Sequence, residues 1–159
     1  MRTVREADAL QVRELRAMDP HPDSRTMPAI RLAEARAFEA GRPDRYTGTV
    51  AVARLLAAPD DSVRVYEVRF AAGARTVWHA HSSEQWLIGL VGFCVVQCAG
   101  EVARRLGPGE ASRVPAGARH WHGAGSESGA SHLVLNVGGT TAWQAPLAAD
   151  EYTAAVAQS

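Results

Sequence analysis

The chain has 159 residues, 47% of them apolar, with 17 basic residues (every one an arginine) set against 17 acidic ones. That length makes one domain large enough to bury a real core. The balanced charge leaves no electrostatic footprint for nucleic acid or an anionic membrane surface, and the absence of lysine excludes Schiff-base chemistry, pyridoxal phosphate enzymes included.

Along the chain, Thr3 to Met18 shows helical spacing (Val4, Leu10, Val12, Leu15, Met18) that Asp19-Pro20-His21-Pro22 interrupts. The charged start from Met1 to Leu15 lacks the apolar core of a signal peptide, and no apolar stretch reaches the roughly 20 residues that span a bilayer. Both point to a cytoplasmic protein. Residues 29–40 are ambiguous between a helix, which their propensities favour up to Gly41, and a short strand and turn. From residue 49 the pattern is strands and turns. Thr49–Leu56 and Val63–Phe70 flank a turn at 59–62, and Tyr66, Val68 and Phe70 share a face. Thr76–His81 forms the next strand. Gln85–Leu90 and Phe93–Cys98 read as a hairpin around Val91-Gly92. Val102–Leu106, Ser112–Val114 and His120–His122 follow, then a flexible Gly/Ser loop at 123–130 and a last strand at His132–Val137. Asp150 is placed to cap a helix over 151–157. Short strands at regular spacing with turn residues between them predict a barrel or a sandwich. Cys94 and Cys98 are about 13 Å apart on a regular strand, too far for a disulfide, and read as reduced packing thiols.

The chemistry concentrates in the histidines, five of which fall between residues 79 and 132. His79 and His81 are two apart on a strand and project from one face. His120, framed by Gly109, Pro115 and Gly117, can fold back to meet them, and Gln85 offers an amide oxygen. Three imidazoles and one oxygen make an open site for one divalent transition metal: manganese, iron or zinc, with nickel and cobalt as further options. Core histidines satisfied by hydrogen bonds are the alternative to be weighed against a metal site.

The spacings Gly73-x5-His79-x-His81-x3-Gln85-x6-Gly92 and Gly109-x5-Pro115-x-Gly117-x2-His120 resemble the two motifs of the cupin family over roughly residues 48–145. The chain departs from them at Gln85, where the family has glutamate, and at Ala124, where it has asparagine. The resemblance implies an all-β fold, a single antiparallel β-barrel (cupin, jelly-roll) over residues 41–146. It would carry an N-terminal extension at 1–40 and a C-terminal tail at 147–159 with a short helix. It also implies that His79, His81, Gln85 and His120 are the metal ligands and face the lumen. Gln85 keeps both motif spacings, whereas the neighbouring Glu84 breaks both and would face the other way. Four neutral ligands would leave the metal its full double charge.

His122, two residues beyond His120, joins the lumen as a general acid or base, or as a hydrogen-bonded partner of the site. His132 and Asn136 share a face of the last strand, as candidates for proton transfer and substrate contact, with Leu133, Leu135 and Val137 turned outward. Tyr66 and Val68 are candidate pocket walls. Trp78, Trp86 and Trp121 each neighbour a ligand position and so point away from it. Arg75, Arg113 and Arg119 are candidates for anion binding at the mouth, although solvated arginines are commoner.

Within the cupins, Ala74 to His81, Arg119 to Ala124 and Ser131 to Asn136 resemble the group with glutamine at the third ligand position, which includes the manganese-dependent bacterial hydroxynitrile lyases. That likeness implies Lewis-acid catalysis on a small organic substrate, as a lyase, isomerase or decarboxylase, with His122 or His132 moving a proton. An iron-dependent dioxygenase of the quercetinase type and a non-catalytic binding or sensing module are the alternatives. The surplus of histidines argues against the module. The family resemblance further implies a homodimer, in which the N-terminal extension could cover a sheet edge.

Overall fold

The computed structural model describes residues 37–57 and 60–159. The helical pattern at 3–18 and most of the segment 29–40 lie outside those residues, and so does the extension apart from residues 37–40. The described strands form two antiparallel sheets. The first runs β1 (Glu39–Ala40), β3 (Val50–Ala57), β4 (Val63–Phe70), β12 (Ala130–Val137), β7 (Gln85–Val91) and β10 (Ala111–Val114). In the second, β13 (Thr141–Trp143), β6 (His79–His81), β11 (His120–Ala124), β5 (Arg75–Thr76) and β2 (Tyr46–Thr47) follow one another. There β8 (Cys94–Cys98) also pairs with β11, and β9 (Arg104–Leu106) pairs with β8.

The sheets curl around a shared apolar core to which both contribute: Val68, Phe70, Leu87 and Val134 from the first, Cys94, Val96, Leu106 and Ala124 from the second. This is the all-β antiparallel barrel expected. The outer face of the second sheet holds a separate core in which Trp78, Val95 and Trp121 pack against Leu147, Tyr152 and Ala155. The last two belong to α1 (Ala149–Gln158). Strand alternation therefore divides β11 cleanly, with Trp121 outward beneath the helix and His120 and His122 inward.

Several expectations need correction. Val91-Gly92 does not close a hairpin, because β7 and β8 belong to different sheets. The chain crosses between sheets there with Gly92 at φ 65°, where an added Cβ would stand 2.5 Å from the Gly129 carbonyl oxygen. The strand expected over 76–81 is two short ones, since Val77 and Trp78 direct their amides to the carbonyls of Arg45 and Ala145. Gly123, Ala124 and Ala130 lie in strands, which shortens the glycine-rich loop. The helix starts at Ala149 rather than at 151. Glu151, not Asp150, closes its first turn by accepting from the Ala148 amide.

Candidate metal centre

Strand register assembles the histidines. His120 of β11 lies opposite His79 of β6, and β13 places Trp143 opposite His79 and Thr141 opposite His81. In the other sheet, β12 places Asn136 opposite Gln85 and Gly89 opposite His132. His79, His81, Gln85, His120, His122 and His132 are all buried. The ring nitrogens of His79, His120 and His122 come within 4.8 Å of one another, a group of donors able to hold a metal ion.

Proton positions follow from the partners. His79 Nδ1 donates to the Val77 carbonyl at 3.0 Å and His120 Nδ1 to the Ala118 carbonyl at 2.9 Å. A carbonyl only accepts, so both Nδ1 atoms carry the proton and both Nε2 atoms keep a bare lone pair. This is the orientation that carbonyl partners impose on ligand histidines. Burial and neighbouring imidazoles also keep the rings neutral. Burial first, then His120, pushes His79 well below the usual imidazole value, and the same two causes bring His81 to about 4. Burial lowers His120, burial and then His132 push His122 well down, and burial brings His132 to about 4. Neutral imidazole is the form that binds a metal.

Gln85 links this group to His81. Its Nε2 donates to Asn136 Oδ1 at 3.0 Å and lies 2.7 Å from His81 Nε2, while its Oε1 faces His120 Nε2 at 3.1 Å. An amide oxygen and a bare imidazole nitrogen are both acceptors. A cation shared between them relieves the conflict. So does a rotated amide with His81 protonated on Nε2, a tautomer that the Thr141 hydroxyl, 2.9 Å from His81 Nδ1, allows. The donor set therefore fits a divalent transition metal: neutral, oriented nitrogens with an amide oxygen beside them. Glu84 is turned away and ion-paired with Arg113 at 2.7 Å.

The cavity above this cluster has a volume of about 520 Å³. Tyr66, Val68, Asn136 and His122 line it. His132 does not. Wholly buried, it sits behind His122, its Nε2 lying 2.9 Å from His122 Nδ1, and Phe70 packs edge-on against both rings. None of Arg75, Arg113 and Arg119 lines the cavity. Arg75 lies over Tyr152 and Arg119 over Trp78, both outside the barrel. Residues that pattern reading passed over also line it. Trp143 stacks on His79 with centroids 4.7 Å apart, and the Arg45 guanidinium lies over the Trp143 ring. Tyr46 lines it too, its phenol raised to about 12 by burial and so a neutral donor.

Comparison with known proteins agrees with this architecture. A family model described as a cupin domain matches residues 66–138. An (R)-mandelonitrile lyase from Granulicella tundricola is 36% identical over 107 residues, 67% of this chain and 82% of that protein. A cupin-like protein of Thermotoga maritima superposes with a TM-score of 0.71 at 33% identity, covering 73% of this chain and 91% of the other. The polyketide cyclase RemF of Streptomyces resistomycificus shares the fold at a TM-score of 0.63 and 20% identity, over 80% of this chain and 91% of its own.

Proposed function

The chain belongs to the cupin family, and from that premise we propose that it is a metal-dependent lyase that cleaves or forms a cyanohydrin-type bond in a small organic molecule. The observation that carries this reading is the set of three buried imidazoles, His79, His120 and His122, with converging nitrogens beneath a cavity of small-molecule size. The 36% identity to a mandelonitrile lyase supports the reaction class. His79, His81, Gln85 and His120 are the ligands in this reading, and His122 is the acid and base. His122 is also the third member of the tight donor group, so its assignment is decided by the variants described below.

A bound divalent cation supplies a Lewis acid for the substrate oxygen. His122 Nε2 takes the hydroxyl proton of the cyanohydrin, the bond between the carbinol carbon and the nitrile carbon breaks, and cyanide leaves with the electron pair. The proton then passes from His122 to cyanide, giving an aldehyde and hydrogen cyanide. His132 acts through His122: its Nε2 accepts from Nδ1–H of the imidazolium and holds the ring in place. Tyr66, Val68 and Trp143 wall the substrate, and Asn136 fixes the Gln85 amide.

The test loads the metal-free protein with manganese, iron(II) or zinc and follows benzaldehyde release from mandelonitrile. Turnover that requires manganese or zinc is expected. A metal-loaded protein that turns over neither mandelonitrile nor aliphatic cyanohydrins would overturn the lyase reading, and oxygen uptake by the iron form would replace it with a dioxygenase.

A further inference from the structure

The cavity wall carries a guanidinium, that of Arg45, which makes no ion pair among the described residues. Arg45 enters from the turn before β2, where its amide and that of Tyr46 both bond the Arg42 carbonyl. Its guanidinium lies 5.2 Å from the centroid of the Trp143 ring, and its Nε is buried with no hydrogen-bond partner among the described residues. Two carboxylates near the cavity, Asp44 and Asp61, are paired with other arginines. Arg42 takes both oxygens of Asp44 at 3.0 Å, and Asp61, the acidic residue in the cavity wall, is paired with Arg54. The second cavity arginine, Arg64, is bonded to the carbonyls of Asp61, Gly138 and Gly139. Arg64 clamps two loops and Arg45 has donors to spare.

A desolvated guanidinium donor without an acceptor is costly, and a planar fork of N–H groups matches a carboxylate in two places at once. Trp143 links Arg45 to His79, in contact with the Arg45 guanidinium and stacked on the His79 ring. We propose that Arg45 anchors a carboxylate carried by the substrate, so that the natural substrate is a small organic acid with its anionic end at Arg45 and its reacting carbon at the histidines. The inference rests on the reading above only in using the same cavity.

Mandelate and mandelamide share a skeleton and differ in charge, and their binding to the metal-free protein, measured by calorimetry, tests the anchor without any metal. Mandelate is expected to bind at least about tenfold tighter, with the ratio falling to within about twofold in Arg45→Gln and persisting in the outer-surface control Arg113→Gln. Equal affinities, binding of neither, or a preference that survives Arg45→Gln would overturn the proposal. In the wild-type protein, the Nε–H resonance of Arg45 should shift on addition of mandelate and not of mandelamide. Its failure to move would overturn the proposal even if Arg45→Gln does not fold. Preference for mandelate with no cyanohydrin turnover would sink the lyase reading alone, and turnover with no preference would sink only the anchor.

Discussion

His132 Nε2 stands 2.9 Å from His122 Nδ1, and the remaining nitrogen of His132 has no partner among the described residues. The one atom through which His132 meets the site is therefore a nitrogen of His122. Replacing His132 by leucine should lower kcat about 10- to 100-fold with KM within about threefold and metal content unchanged, if His122 moves the proton. If His122 is instead a ligand, the same variant should weaken metal affinity, which elemental analysis after dialysis would reveal. Glutamine at 132, which can accept from Nδ1–H, should restore part of the rate.

Metal stoichiometry separates the two donor sets. His79 and His120 belong to both, so alanine at either should abolish the expected single equivalent of metal. His81→Ala and Gln85→Ala should reduce retention if the ligands are those of the proposed function, while His122→Ala should leave it intact. The opposite pattern would move the ion into the group formed by His79, His120 and His122. In the wild type, metal at a hundred times its Kd should add about 2.7 kcal/mol of stability, readable as a rise in Tm.

The metal-free protein should lose stability in mild acid. Burial holds His81 and His132 at about 4 and keeps His79 and His122 well below the usual value. Above about pH 6.5 neither the folded nor the unfolded state protonates these rings, and stability is flat on their account. As pH falls from about 6.5 toward 4, the unfolded chain binds protons that the folded one refuses, so stability declines. Urea midpoints at about pH 7.5, 6 and 5 should fall in that order, and a constant midpoint would contradict the burial described.

Trp121 is fully buried between β11 and α1, its ring against Tyr152 and its Nε1 donating to Gln97 Oε1 at 2.8 Å. Alanine there should cost about 3–5 kcal/mol of folding stability. Chemical denaturation measures it, and a loss below about 1 kcal/mol would mean that the outer core can collapse around the gap.

Cys94 is buried, and burial pushes its thiol up to about 12; Cys98 is half-buried and raised less. A thiol-directed reagent should leave Cys94 unlabelled until the protein is unfolded, with any native labelling confined to Cys98. Mass spectrometry after digestion reads the two sites separately.

Side-chain alternation made much of the site legible. The two-residue spacings of His79 with His81 and of His120 with His122 placed all four rings on inward faces, and the same rule turned Trp121 and Glu84 outward. Alternation tells which face a residue occupies, but not which strand lies beside it. That is why β7 and β8 read as a hairpin although they join different sheets. Trp143 escaped notice because β13 is three residues long and shows no periodicity, and Arg45 because it lies in a turn. Both reach the cavity through long-range register and turn geometry, which local pattern does not encode. His132 was recognised as inward, but its depth behind His122 depends on how two sheets pack.

Strand β12 lies between β4 and β7, so the first sheet has no complete centre until Val137 exists. The second waits still longer: Trp143 reaches His79 from a later strand, and α1 then covers Trp121. A nascent chain leaving the ribosome carries His79 and His81 well before the strands that bury them. The imidazole cluster is thus finished only after Trp143 has been made, and a metal captured earlier would meet a site with too few walls to exclude the wrong ion.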